Sequence, residues 1–428
     1  MKVEMSKPVR MALIGAGNRG RGIFGAYAKQ MSHRAVLVAV AEPDAARRNA
    51  FSQDHGIPES SRFQSAGELF AAQGLDIEAV IVATIEDQRL QPVVQAIGKG
   101  YHVLVEKPLG RTAAEVMAIT DAARKSDRVF AVCHQMRYMT AYATMKELID
   151  SGRHGEAVAM QMSENLSYHH YAHSFVRGVF NSSRLTPMIL AKCCHDMDIM
   201  CYLTGRRPVR VSSFGSLNWF RAENAPKGAP DFCLDGCPAT ASCPYHVLKL
   251  YFNDETDPAY IRQMGVVNGK AELMDLLKTN RFGRCVYRCG NDVVDHQAVN
   301  VEFEGGLTVS FNMVGHNALE RRITKISLTN GEIGHDTSGG TVTAYTFEPL
   351  REERHTPAGT SGTHGGGDRL IMDGFVEAIR SKGAAPMLTS VEMSLDSHLL
   401  AFAAEQSRLE NGAVVDLRVF EDKLRSAK

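Results

Sequence analysis

The chain has no excess of either charge: 48 Lys and Arg balance 48 Asp and Glu across 428 residues, for a formal net charge of zero. That balance gives no global attraction to nucleic acid or to an anionic membrane, so neither is expected as a partner. Long apolar runs are also missing. Residues 79–83 are typical of those present and fall far short of a bilayer span. Residues 1–7 lack the apolar core of a secretion signal, and the expected location is the cytoplasm. No internal repeat and no low-complexity tract appears. With 44% hydrophobic and 22% charged residues, the composition excludes a disordered chain, a coiled coil and a collagen. The length calls for at least two globular domains. Nine cysteines, an odd number in a chain read as cytoplasmic, favour reduced thiols or a metal site over a disulfide framework.

Two textures divide the sequence. Over residues 1–138, short apolar runs at 10–15, 36–42, 79–84, 102–106 and 129–134 read as buried strands. Amphipathic stretches at 20–31, 44–51, 66–72, 89–100 and 112–126 lie between them and read as helices. That alternation predicts an α/β fold with a doubly wound parallel sheet. Over residues 139–428 a helix at 141–151 leads into longer alternating strands at 157–168, 209–214, 299–313 and 323–329, with helices at 369–382 and 391–410. Alternation of this kind predicts an α+β domain built on a large, open, mainly antiparallel sheet with one face covered. A Pro-, Cys- and Gly-rich insertion occupies roughly 221–291.

The first strand runs into Gly15-Ala16-Gly17-Asn18-Arg19-Gly20. G-x-G-x-x-G at the mouth of a helix lets Gly15 turn tightly, Gly17 approach a pyrophosphate, and Gly20 pack helix against strand. The free N–H groups of the helix start then face the anion. Asn18 and Arg19 lie within the turn. Glu42 ends the second strand, where an acid reaches the adenosine ribose hydroxyls. A carboxylate there opposes a 2′-phosphate, which favours NAD over NADP, unless Arg47 or Arg48 folds back.

The segment Val105-Glu106-Lys107-Pro108 resembles the signature of the Gfo/Idh/MocA oxidoreductases, the family of glucose-fructose oxidoreductase and inositol dehydrogenase. Ala83-Thr84 after the fourth strand, Arg137-Tyr138 at the domain junction, residues 146–155, His195-Asp196-Met197-Asp198 and Gly365-Gly366-Gly367-Asp368 fit the same pattern. The resemblance implies an N-terminal Rossmann domain and a C-terminal domain that binds substrate and pairs copies into dimers or tetramers. It also implies oxidation or reduction of a ring carbon of a sugar, glycoside or cyclitol, C3 first among them. On this reading Thr84, Glu106 and Lys107 line the cofactor, Lys107 and His195 handle the hydroxyl and its proton, and Asp198 contacts substrate or orients the helix.

Many relatives carry an Asp four residues before that His; here the position is Ala191, followed by Lys192. The change implies altered acid–base chemistry with Lys192 as a participant, or an anionic substrate, or a lysine that simply points away. Residues 168–178 are dense in His, Tyr and Arg. Tyr168 and His173 suit ring hydroxyls, and Arg177 suits bidentate capture of an anion; His364 is a weaker candidate for the same pocket. A second function stays open: a redox-neutral NAD-dependent glycosidase that oxidises, eliminates, hydrates and reduces a glycoside, anionic ones included. A non-catalytic sugar or nucleotide sensor is the third. Cys233, Cys237 and Cys243, in C-x3-C-x5-C spacing with Cys285, Cys289 or His246 as fourth ligand, suggest a structural zinc. An iron–sulfur cluster and buried free thiols are the alternatives.

Overall fold

A computed structural model describes residues 7–253, 256–265, 267–357, 363–385 and 387–426, the side chains of 363 and 364 excepted. Among the described residues two sheets organise the chain. The first comprises β1 (Val9–Ile14), β2 (Ala35–Ala41), β3 (Arg62–Phe63), β4 (Ala79–Val82), β5 (His102–Val105) and β6 (Phe130–Val132), in the order β3-β2-β1-β4-β5-β6. Every pairing in it is parallel. All four residues of β4 are completely buried, as a strand covered by helices on both faces requires.

The second sheet comprises β7 (Ala157–Ser167), β8 (Pro208–Ser216), β9 (His296–Phe303), β10 (Thr308–Asn317), β11 (Arg321–Leu328), β12 (Gly331–Asp336), β13 (Val342–Thr346), β14 (Arg351–His355) and β15 (Val415–Asp416). Its order is β14-β13-β12-β11-β7-β10-β9-β8-β15. Its pairings are antiparallel except β7 with β10, which run parallel at its centre. The expected single strand at 299–313 is two strands of a hairpin. Glu304-Gly305-Gly306 turns the chain, with Gly305 at φ 77° and Gly306 at φ 80°, a left-handed pair that a strand cannot contain. Strands β12 to β15 carry too few apolar residues for alternation to mark them.

The helix Gly367–Arg380 returns to the first sheet. It buries Ile371, Met372, Phe375 and Val376 in one cluster with Met11, Leu13, Leu37 and Ile81. Each such side chain contributes about 1.5–3 kcal/mol by leaving water. A segment far along the chain therefore covers the face that carries the glycine-rich turn. The helix Val391–Leu409 packs into the other cluster, which joins the opposite face of the first sheet to the inner face of the second. No helix among the described residues is long and apolar enough to cross a membrane.

Candidate active site

The glycine turn has the geometry its spacing predicts. Gly15 sits at φ 94°, and a Cβ there would lie 2.8 Å from the Ala83 carbonyl oxygen. A Cβ on Gly20 would lie 1.9 Å from the Gly15 carbonyl oxygen, so only glycine lets this helix close on β1. A Cβ on Gly17 would meet no atom within 4 Å. The space beside Gly17 is the room a pyrophosphate requires, and these residues fit a dinucleotide. Asn18 is exposed at the tip of the turn.

Glu42 is buried at the end of β2, where its Oε2 accepts from Ala16 N at 2.7 Å and its Oε1 from Asp44 N at 3.1 Å. Its carboxylate is thereby fixed against the glycine turn. Arg48 does fold back, but its guanidinium is spent on the backbone carbonyls of Glu42 and Pro43. Thr84 follows β4 and donates its hydroxyl to the Gln88 carbonyl at 3.3 Å.

Arg19 ties three distant segments together. It donates to Glu106 Oε1 at 2.6 Å and to Asp368 Oδ1 at 2.6 Å, and both carboxylates are buried. Burial alone would lower the Arg19 pKa, but Glu106 and Asp368 raise it well above the ordinary guanidinium value. Glu106 is therefore a positioning residue that clamps the end of β5 to the glycine turn, rather than a group aimed at solvent. Lys107, the next residue, is half-buried and donates from Nζ to the Ala191 carbonyl at 3.2 Å. The backbone beyond it is held by His398, whose Nε2 accepts from Leu109 N at 2.9 Å. His398 is fully buried, and that burial, with His134 beside it, pushes its pKa down to about 3. No sequence pattern marks His398.

His195 lies in the first turn of the helix Cys194–Thr204 and is 4% exposed. Its ring stands edge-on to that of His134, centroids 6.1 Å apart. Behind it, Asp198 and Arg137 form a buried bidentate pair, with Nε to Oδ2 and Nη2 to Oδ1 both at 2.7 Å. Arg137 also donates to the Leu388 carbonyl, and the Tyr138 hydroxyl accepts from Leu388 N. These bonds favour the helix-orienting reading of Asp198 and tie Arg137 and Tyr138, expected in the substrate site, to the backbone of Leu388. Arg137 and Asp198 satisfy one another, and all three hold the helix of His195 and the 387–390 turn in place.

Lys192 forms an ion pair with Glu320 at 2.9 Å and with Glu164 at 3.4 Å. Burial would lower its pKa, and the two carboxylates raise it instead. Arg322 contacts Glu164 and also holds Asp196 at 2.8 Å. Glu164 was readable in the sequence as an acid at an inward position of β7, between Met162 and Leu166. Glu320 gave no such signal, being a loop residue far along the chain from Lys192.

Residues 168–178 separate into two groups. Tyr168 remains half-buried at the start of the segment, its ring 4.2 Å from that of His169. His173 and Arg177, expected in the substrate site, turn into the insertion. His173 bonds the Tyr251 hydroxyl and Gln263, and it stacks on Tyr260 and Phe282. Arg177 is 1% exposed and donates to the carbonyls of Arg284 and Tyr245. An arginine so placed organises the insertion's backbone and is out of reach of a substrate anion. The His364 side chain lies outside the described residues.

The cysteines expected to hold zinc come together in part. Cys233, Cys237, Cys243 and Cys285 do line one small cavity, of about 10 Å³, with His246 and Arg177. Cys289 is not in it, and its thiol donates to the Cys285 carbonyl. Among the described residues no group of three or more His, Cys, Asp or Glu side chains is arranged to hold a metal ion. The Arg177 cation, 3.6 Å from the Cys233 sulfur, is fixed in this cavity by its own carbonyl bonds.

Comparison with known proteins agrees with this architecture. Residues 9–134 match the model of the oxidoreductase family with an NAD-binding Rossmann fold, GFO_IDH_MocA. The chain is 24% identical over 312 residues to the oxidoreductase YteT of Bacillus subtilis, covering 69% of this chain and 71% of that one. It is 29% identical over 210 residues to inositol 2-dehydrogenase of Corynebacterium glutamicum, covering 48% of this chain and 57% of the relative. The structure of levoglucosan dehydrogenase in complex with NADH and levoglucosan shares its fold with TM-score 0.69 at 18% identity, over 96% of this chain and all of that one. A glycine turn on β1, Glu-Lys-Pro at the end of β5 and a second, open sheet are carried together by a chain whose residues 9–134 match the NAD-binding Rossmann domain of the Gfo/Idh/MocA oxidoreductases.

Proposed function

We propose that this protein is an NAD-dependent oxidoreductase acting on a ring hydroxyl, C3 first among the candidates, of a sugar or cyclitol. The observation that carries the reading is the position of Lys107. It ends a strand clamped to the cofactor turn through Glu106 and Arg19, and its Nζ meets the segment that leads into His195. Bound NAD supplies the hydride acceptor. Lys107 holds the hydroxyl oxygen of the ring, and His195 takes the hydroxyl proton. The Arg137–Asp198 pair keeps the His195 helix in register while this happens. Glu42, fixed by two backbone donors, selects the unphosphorylated adenosine ribose.

The test incubates the purified protein and NAD with free sugars, cyclitols and nitrophenyl glycosides, following the nitrophenolate and NADH bands together. Stoichiometric NADH without nitrophenolate is the expected result. Nitrophenolate release without net NADH would assign the redox-neutral glycosidase instead. The absence of both, with sugar binding intact, would leave a sensor.

A further inference from the structure

Lys107 contacts the carbonyl of Ala191, and the next residue, Lys192, belongs to a charge cluster that the oxidoreductase reading leaves unused. Its open end is Glu320, with a side chain 38% exposed, next to His170 at 25% and Lys192 at 14%. Four donors converge on the Glu320 carboxylate. Lys192 Nζ reaches Oε1 at 2.9 Å, and His170 Nδ1 lies 2.8 Å from Oε1 and 2.9 Å from Oε2. Ser167 supplies its backbone N–H at 3.2 Å and its hydroxyl at 3.3 Å, both to Oε2. Four donors saturate the lone pairs of one carboxylate.

The protonation of His170 follows from this arrangement. Burial would raise the Glu320 pKa, but the hydrogen bond from His170 and the charge of Lys192 hold it well below the ordinary carboxylate range. Glu320 is therefore ionised near neutral pH and can only accept. His170 Nδ1 must then carry the hydrogen. Burial and Lys192 lower the His170 pKa, so the ring is neutral and its Nε2 is an acceptor. Lys192 donates to Glu320 and is paired by charge with Glu164 at 3.4 Å, which leaves it N–H bonds to donate. An acceptor and a donor side by side match a hydroxyl group, which both gives and receives a hydrogen bond.

The same cluster opposes anions. Glu164, Asp196 and Glu320 set three carboxylates against the two permanent cations Lys192 and Arg322. An incoming carboxylate would find Lys192 already neutralised and would face the partly exposed charge of Glu320. The arginine that suggested anion capture, Arg177, is buried in the insertion.

We propose that His170 is the hydroxyl-accepting residue of the substrate site, that Glu320 holds it in the tautomer this requires, and that the ring bound there is a neutral polyol rather than a carboxylated sugar. The proposal rests on the reading of Lys107 and His195 as the reaction centre. It names the substrate class and two residues, His170 as a contact and Glu320 as a positioning residue.

Titration calorimetry on the NAD-loaded protein with glucose, myo-inositol and glucuronate tests it. The expected result is that at least one neutral ring binds 10-fold or more tighter than glucuronate. His170→Ala should weaken the neutral ring about 10-fold with NAD affinity unchanged. Glu320→Gln should narrow the gap between neutral ring and glucuronate by a similar factor. Nitrogen-15 NMR of the His170 ring should show hydrogen on Nδ1 in the natural protein and a mixture in Glu320→Gln. Because Glu320 is partly exposed, that variant should keep its fold, which the near-ultraviolet CD spectrum checks. Glucuronate binding as tightly as the neutral rings, no neutral ring binding, or hydrogen on Nε2 of His170 would each overturn the proposal. Intact discrimination with no NADH formed would instead defeat the oxidoreductase reading alone.

Discussion

The Nζ of Lys107 donates to the carbonyl of Ala191, 3.2 Å away, so the end of β5 in the first sheet is joined directly to the segment that leads into His195. Lys107 is thus held by backbone, at Ala191, the position where the family resemblance implies an aspartate. A carbonyl orients an amine without titrating, so on the proposed reading the proton-accepting role falls to His195. Lys107→Met should lower the rate of hydride transfer by about 10²–10⁴-fold, the range for a group that acts on the proton or oxygen of the reacting centre. NAD affinity, read by fluorescence quenching on NADH binding, should stay within a few-fold of the natural protein. A variant that keeps its single-turnover rate would remove Lys107 from the chemistry.

Arg137 and Asp198 face each other with almost no water contact, at side-chain exposures of 4% and 0%. Removing one partner leaves an uncompensated buried charge, which costs on the order of 3–5 kcal/mol. Arg137→Met and Asp198→Asn should therefore each lower the urea midpoint strongly, while KM for the sugar of any surviving enzyme should change little. A large KM effect in a variant with unchanged stability would return the pair to the substrate site.

Much of the first sheet was legible because a strand covered on both faces must be continuously apolar, and the glycines between such strands have one geometric use. The Gly15, Gly17 and Gly20 spacing and the Glu42 position needed only local rules. The second sheet was legible at β7, β8 and β11, where alternation is clean, and illegible at β12 to β14, where hydrogen bonding to a neighbour substitutes for apolar content. Site residues that pair across the chain were the hardest. The resemblance placed Arg137 at the domain junction and left Asp198 as a contact or a helix-orienting residue, because a buried polar side chain needs a partner and the sequence does not print which one. His173 and Arg177 failed the same way: the insertion that buries them lies far downstream. Glu164 carried a readable signal, an acid in a core register. Glu320 carried none.

The carboxylate of Glu42 should decide between the two nicotinamide dinucleotides. Ala16 N and Asp44 N hold it beside the turn, and Arg48 is engaged with the carbonyls of Glu42 and Pro43. A 2′-phosphate would meet this negative charge, and Arg48 is not released to offset it. NAD should be preferred over NADP by 100-fold or more in kcat/KM, consistent with a like-charge contact costing about several kcal/mol. Glu42→Gln should keep the shape, remove the charge and reduce that preference by about 10-fold or more. Equal use of both cofactors by the natural protein would show that the phosphate finds a different cation.

The insertion should confer an acid limit on stability through His173. Its ring is fully buried between Tyr260 and Phe282, and burial pushes its pKa down to about 4 against an ordinary value of 6.5. Folding therefore favours the neutral imidazole. Above the ordinary value both folded and unfolded states are neutral, and pH has no effect through this group. As pH falls from 6.5 toward 4, the unfolded chain takes up the proton and the folded chain does not, so stability declines across that window. The loss from this residue is on the order of 3 kcal/mol once the unfolded chain is fully protonated. His398, with a pKa of about 3, acts in the same direction and extends the decline to lower pH. His173→Phe keeps an aromatic ring in the stack and cannot titrate. Its urea midpoint should fall less steeply between pH 6.5 and 4 than that of the natural protein, even if both are equally stable at pH 7.5. Parallel curves for the two proteins across that window would mean that the folded His173 ring takes up its proton over the same range as the unfolded chain, and its stacking partners would then be holding a cation.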